Sequence, residues 1–346
     1  MQCVKRQCAL SEKIRPDMRA TIFKNRVLSL SYVFLVLSLC IPEDAKAQFP
    51  VFKASVKNEL AFQEIPSASG IVKFQDSYYV IGDDSPYLFQ LDSAFRLVKK
   101  IEIFGTKHLQ NGRLPKKEKP DFECITVVPW GNDEDLLVFG SGDGKERHVL
   151  VRIDIDEGRA RVESYSLKGF YKYLRKIIHA DELNIEGAGF WNNALILLNR
   201  RDNALFMVDL DDFKAYVKGK DRDHLKVSTK VLKLPSINGM SARFSGLSVL
   251  PDEDIMVFSA SVENDPNWIV NDDIVCSYVG IIDLKQLDND EPICELIKKD
   301  DLPIKEKVES LNMISKNDRA MELVGVIDND DGSSKLIEIA FEKVLE

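Results

Sequence analysis

The chain has 346 residues, with 45% hydrophobic and 30% charged side chains and a formal net charge of −9. That composition supports a sizeable core and a soluble surface, and the acidic balance argues against wholesale nucleic-acid binding, which needs a basic face. Six cysteines fit no zinc spacing.

Residues 27–41 (VLSLSYVFLVLSLCI) form an apolar run of signal-peptide length, preceded by Arg19, Lys24 and Arg26 and followed by Ala45-Lys46-Ala47. A small residue on each side of a spacer is a cleavage pattern, so residues 1–47 are expected to be a leader and 48–346 a single mature domain beginning at Gln48. Met18 offers a second start, and an uncleaved anchor is the alternative. The expected location is periplasmic or secreted, with no membrane contact after cleavage. Cys3, Cys8 and Cys40 leave with the leader. Cys276 and Cys294 could pair in an oxidising compartment, and buried free thiols are the competing expectation for these two and Cys124.

Beyond residue 48 the chain alternates short β-branched or aromatic runs with Gly, Asp, Asn and Pro, an all-β pattern. One short helix is predicted near Phe170–Ile178. A motif recurs: an apolar or small residue, Ser or Glu, a small residue, then an apolar one. It reads Ala68-Ser69-Gly70-Ile71, Phe122-Glu123-Cys124-Ile125, Ile185-Glu186-Gly187-Ala188, Phe244-Ser245-Gly246-Leu247 and Val308-Glu309-Ser310-Leu311. The copies lie roughly 54 to 64 residues apart, and each opens a similar succession of strands. Four strands per unit, repeated radially, predict a five-bladed β-propeller. The fifth unit ends after its third strand, at Phe341. The segment 49–62 is therefore expected to supply the fourth strand and close the ring.

The first strand of a propeller blade lines the central channel, so Ser69, Glu123, Glu186, Ser245 and Glu309 should face one axis. Three converging carboxylates are costly to bury without positive charge. A hard cation with oxygen ligands, one calcium ion, resolves the conflict. A purely structural polar ring, with Glu meeting a buried Arg or water, is the alternative.

The loops on the same face carry Asp83 and Asp84, the segment 140–148 (GSGDGKERH), Arg200 and Arg201, the long segment 261–273 with Glu263 and Trp268, and DNDDG at 328–332. The segment 105–121 adds Lys107, His108, Arg113, Lys116, Lys117 and Lys119. Such a face could take a small phosphorylated ligand, since Arg presents a planar fork to phosphate oxygens. Turn formation and solvation explain each loop equally well. DNDDG lacks EF-hand spacing and reads as a tight turn. No P-loop, G-x-S-x-G or H-E-x-x-H is present.

The order Ser, Glu, Glu, Ser, Glu resembles the calcium-activated nucleotidases (the apyrase family). The resemblance implies that the five positions ligate one calcium ion. It also implies that Asp83, Asp84, Arg200 and Arg201 stand near an active site for phosphoanhydride or phosphoester hydrolysis. The E-G and S-G motifs are similar to those of phytase-like bacterial propellers of unassigned activity. Two functions follow as expectations: a calcium-dependent hydrolase, or a non-catalytic monomeric propeller binding a glycan, peptide or protein through its loop face.

Overall fold

In the computed structural model the described residues are 51–346, except 106–107, 132, 221–224, 265–273, 330 and 345–346. The expected leader at 1–47, with Cys3, Cys8, Cys40 and Met18, and the residues Gln48, Lys107, His224, Trp268 and Asp330 lie outside them.

The sequence runs β1 (Phe52–Phe62), then β2 (Ala68–Phe74), β3 (Ser77–Gly82), β4 (Tyr87–Leu91) and β5 (Leu97–Glu102). Next come β6 (Phe122–Trp130), β7 (Asp133–Gly140), β8 (Val149–Asp156) and β9 (Arg159–Ser166), followed by helix α1 (Lys168–Ile178). Then β10 (Ile185–Trp191), β11 (Ala194–Asn199), β12 (Ala204–Asp209), helix α2 (Leu210–Val217) and β13 (Val227–Val231). After a small ribbon of β14 (Ser236–Ile237) and β15 (Met240–Ser241) come β16 (Arg243–Leu250), β17 (Ile255–Glu263), β18 (Ile274–Asp283) and β19 (Ile293–Lys299). The chain ends with β20 (Leu302–Pro303), β21 (Val308–Lys316), β22 (Ala320–Asp328) and β23 (Ser334–Lys343).

The fold is all-β and of propeller type. Three meanders form separate four-stranded sheets: β2 to β5, β6 to β9, and β10 to β13. The remaining long strands join as one larger sheet in the order β16-β17-β18-β19-β1-β23-β22-β21. Its middle is a short parallel contact, Ala54 to Ile297 and Ser55 to Lys298. By contrast β1 pairs antiparallel with β23 from Phe52–Lys343 to Phe62–Ser334. The N-terminal strand thus occupies the expected place beside the strand of Phe341, and ties the two ends of the domain together.

Burial explains the arrangement. The inner strands are buried on both faces, as in Ser77–Gly82 and Ala194–Asn199, whereas the outer strands such as Arg159–Ser166 alternate with solvent. Five hydrophobic clusters fill the spaces between successive sheets. The cluster containing Ile71, Tyr78 and Val80 with Val324, Val326 and Leu336 joins the last sheet to the first. The strands β2, β6, β10, β16 and β21 are each neighbours of the next, and β21 is a neighbour of β2.

The helices sit in connections and pack inward. Phe170, Tyr171 and Leu174 of α1 enter the core beside Phe213 of α2. The sequence reading missed α2. Its Asp209 side chain accepts hydrogen bonds from the backbone N–H groups of Asp211 and Asp212, a recognisable N-cap. No helix among the described residues is long and apolar enough to cross a membrane.

Among the described residues Cys124, Cys276 and Cys294 are free. Pairing of Cys276 with Cys294 does not occur, because in the ladder Cys276 lies opposite Val262 and Cys294 opposite Gly280.

Each of the five first strands carries a one-residue bulge at the same place. The pairing steps from Ala68 to Gly70, Phe122 to Cys124, Ile185 to Gly187, Phe244 to Gly246 and Val308 to Ser310 while the second strand advances by one. The skipped residues are Ser69, Glu123, Glu186, Ser245 and Glu309. A bulge re-aims the extra side chain and bends the strand. The small residue that follows has a packing reason. A Cβ on Gly246 would lie 2.6 Å from the Ser310 Cα and 2.7 Å from the Glu309 carbonyl oxygen of the neighbouring first strand.

Gly246→Ala therefore forces two backbones apart and is expected to destabilise the domain by about 1–3 kcal/mol in urea unfolding. Gly105→Ala, which meets nothing within 4 Å, is the control. A Gly246→Ala variant as stable as the control would contradict the close approach.

Candidate metal centre at the channel mouth

The bulges bring the five motif side chains to one end of the first strands, where carboxylates gather. Ligand atoms of Glu123, Glu186 and Glu309 lie within 4.8 Å of one another, and so do those of Asp83, Asp121 and Glu123. Glu123 belongs to both groups.

The two serines of the ring stitch neighbouring first strands. Ser69 Oγ donates to the carbonyl of Phe122, and Ser245 Oγ donates to the carbonyl of Val308 at 2.7 Å. Their hydroxyl protons are thereby spent on backbone, and each oxygen keeps lone pairs for a further partner.

The carboxylates differ in what neutralises them. The Lys307 ammonium lies 2.6 Å from Glu309 Oε2 and 3.4 Å from Glu186 Oε2. Glu186 also accepts from Asn184 Nδ2 at 2.7 Å and lies 3.8 Å from Arg200 Nε. Asp121 is held by Lys119 at 2.8 Å, Arg147 at 2.8 Å and the Ser141 hydroxyl at 2.6 Å, and Lys119 also bridges to Asp83. Glu123 has no hydrogen bond or ion pair among the described residues.

Electrostatics follow from this layout. Burial pushes the Glu123 carboxyl well above the usual range, and Asp121, Glu186 and Asp83 add to the effect. Burial raises Glu309 to about 8, against the opposing pull of Lys307. Asp83 rises to about 6, again from burial, with Lys119 pulling it down. Burial disfavours the charge on Lys307, but Glu186 and Glu309 outweigh it and hold the ammonium above the ordinary lysine range.

The four residues expected to be catalytic take other work. Asp84 accepts from Arg113 Nε at 2.6 Å, and the same guanidinium donates to Ser67 Oγ at 2.8 Å, fastening the segment 105–121. Asp83 pairs with Lys119. Arg200 is buried, donates to the Phe244 carbonyl at 2.9 Å and to Ser261 Oγ at 3.3 Å, and pairs with Glu263. Arg201 points the other way, to Glu182 at 2.7 Å and Asp143 at 3.5 Å. Each of the four is thus in an ion pair of its own. Asp331 accepts from the Ser333 N–H and hydroxyl, so that loop is a tight turn, as its spacing indicates.

Lys307 and Asp121 escaped the sequence reading, although the repeat contains them. Two residues before each ring position stand Ser67, Asp121, Asn184, Arg243 and Lys307. All are polar, which makes a second ring legible from the same alignment of repeats.

Replacing Lys307 by Met strands Glu186 and Glu309 without their shared ammonium. The expected cost is about 3–5 kcal/mol in denaturant unfolding with EDTA present. Calcium should restore part of that loss. A cost below about 1 kcal/mol would show the pair to be solvent-screened.

Comparisons with known proteins bear on the fold and the family. No curated protein matches the chain. Among solved structures, a glutaminyl cyclase of Myxococcus xanthus is 13% identical with a TM-score of 0.48, covering 86% of this chain and 100% of its own. The PQQ-bound aldose sugar dehydrogenase of Streptomyces coelicolor is 12% identical with a TM-score of 0.43, covering 85% and 100%. A virginiamycin B lyase of Staphylococcus aureus is 9% identical with a TM-score of 0.36, again covering 85% and 100%. The model of DUF6929, a family of unknown function, matches residues 64–341, and the chain belongs to that family.

Proposed function

We propose that this chain is an exported five-bladed propeller that binds one divalent cation, calcium, at the mouth of its channel. The observation that carries the reading is Glu123, a buried carboxylate shared by two acidic groups, with Lys307 acting on it only from beyond ion-pair distance. Glu186 and Glu309, the hydroxyl oxygens of Ser69 and Ser245, backbone carbonyls and water would complete an oxygen shell of the kind calcium takes. Five bulges and five inter-sheet clusters support the blade count. Export rests on the leader at 1–47.

Lys307 and Arg200 already offset part of the acidic charge, so affinity is expected to be modest, on the order of 10⁻⁴ M. That range suits a module working outside the cytoplasm. The ion would stiffen the mouth and present a charged centre to an oxygen-rich ligand.

The non-catalytic reading is favoured over the hydrolase. Asp84, Arg200 and Arg201 are engaged in ion pairs that hold the loops, which supports a binding role. One observation favours a hydrolase: Asp83 titrates near 6, a value suited to a general base. Under that reading the wild type hydrolyses ADP with calcium and Asp83→Asn abolishes it. Absence of turnover in the calcium-loaded wild type removes it.

The central test is thermal unfolding of residues 48–346 with EDTA and with millimolar calcium. Calcium should raise the midpoint by several degrees. Glu123→Gln should remove most of that rise while leaving the metal-free protein equally or more stable. An undiminished calcium response in Glu123→Gln would contradict the assignment.

A pH dependence follows as well. Carboxyls whose folded pKa is raised bind protons more tightly when folded, so they favour the fold at low pH and oppose it as pH climbs past their unfolded values. Without metal, stability should decline between about pH 5 and 8, the span set by Asp83 near 6 and Glu309 near 8. Excess calcium should flatten the decline. Equal slopes with and without calcium would count against a cation at these groups.

A further inference from the structure

Three residues beyond each ring position, the first strands carry Val72, Thr126, Gly189, Ser248 and Asn312. These five positions line a cavity of about 280 Å³ at the far end of the channel from the acidic mouth. It is open on one side, and Ile71, Ile125 and Leu247 contribute apolar wall. All three are nearly fully buried.

Its chemistry is unlike that of the mouth. The uncharged polar side chains are the hydroxyls of Thr126 and Ser248 and the carboxamides of Asn312 and, at the exposed rim, Gln75, which offer donors and acceptors without charge. Thr126 and Ser248 are 5% and 8% exposed, so they are set into the wall. Asn312 donates to Ser248 Oγ at 3.2 Å, and the Thr126 hydroxyl makes a long 3.5 Å contact to the Val127 carbonyl, so the hydroxyl oxygens and the Asn312 carboxamide keep hydrogen-bonding capacity. Lys73 and Glu134, of opposite sign, are the charged side chains of the lining, and both are exposed.

Size and pattern narrow the occupant. A cavity of about 280 Å³ has room for a single small ring. Ser248 and Asn312 stand on neighbouring strands, while Thr126 lies across the channel, separated from them by Val72 on one side and Gly189 on the other. Polar contacts on both sides of an apolar chamber suit a saturated ring with hydroxyls around its perimeter and C–H faces between. A planar base would present its hydrogen-bonding edge to one side.

We propose that this cavity is a binding site for a neutral monosaccharide, held by Thr126, Ser248 and Asn312, and independent of the cation at the opposite mouth. Recognition of this kind uses a mostly apolar chamber with a few placed polar groups.

The test is saturation-transfer NMR on residues 48–346 with D-glucose, D-galactose and L-arabinose as probes, each at millimolar concentration. Transfer to the sugar C–H protons is expected for at least one probe. Asn312→Leu and Thr126→Val, which keep side-chain size while removing the polar groups, should each weaken binding about tenfold or more. EDTA and Glu123→Gln should leave it unchanged. No transfer with any of the three probes on the folded wild type would overturn the proposal. Equal binding by both variants would do so too. So would transfer to adenosine, and not to sugars, that is lost in Asn312→Leu. A failure of calcium binding with sugar binding intact would sink the cation reading alone.

Discussion

Carboxylates drawn out of water toward a common axis set the terms for the rest of this fold. Each first strand delivers its side chain through a bulge, and three of the five delivered side chains are glutamates. An isolated carboxylate in such a place would cost several kcal/mol, so positive charge must be supplied or protons retained. The protein supplies part of it with Lys307, Arg200, Lys119 and Arg147, all fixed near the same mouth. Glu123 makes no ion pair among the described residues, and Lys307 offsets its charge only in part. A divalent cation is the simplest completion of the set.

The same ion pairs also organise the loops. Asp84 with Arg113 fastens the segment before β6, Asp121 with Arg147 fastens the segment after β7, and Glu263 with Arg200 ties β17 to the end of β11. Positioning the mouth and neutralising it are one network, in which Asp84, Arg200 and Arg201 each hold a loop through an ion pair. That is the physical reason for favouring a binding module over a hydrolase.

Much of this was legible in the sequence because the repeat is periodic. The recurring motif, a closing strand within 49–62 and a helix near Phe170–Ile178 follow from spacing and apolar pattern, and the structure has them at Phe52–Phe62 and Lys168–Ile178. What the sequence hid is direction. Arg200 and Arg201 are adjacent, yet one turns into the core and the other toward Glu182, and only the local backbone decides which. Lys307 drew no attention in the sequence, and only the fold sets it between two glutamates. Of the two expectations for Cys276 and Cys294, free thiols hold, since register places the two cysteines opposite different residues.

Crystals grown with calcium, and examined by anomalous scattering, would address the central claim most directly. The account expects one calcium ion with Glu123 oxygens at about 2.3–2.6 Å, flanked by Glu186 or Glu309 and with Lys307 displaced or turned aside. Ordered density with no ion, Glu123 protonated on a neighbour and Lys307 still between Glu186 and Glu309, would contradict it. The mouth would then be a self-neutralised structural ring.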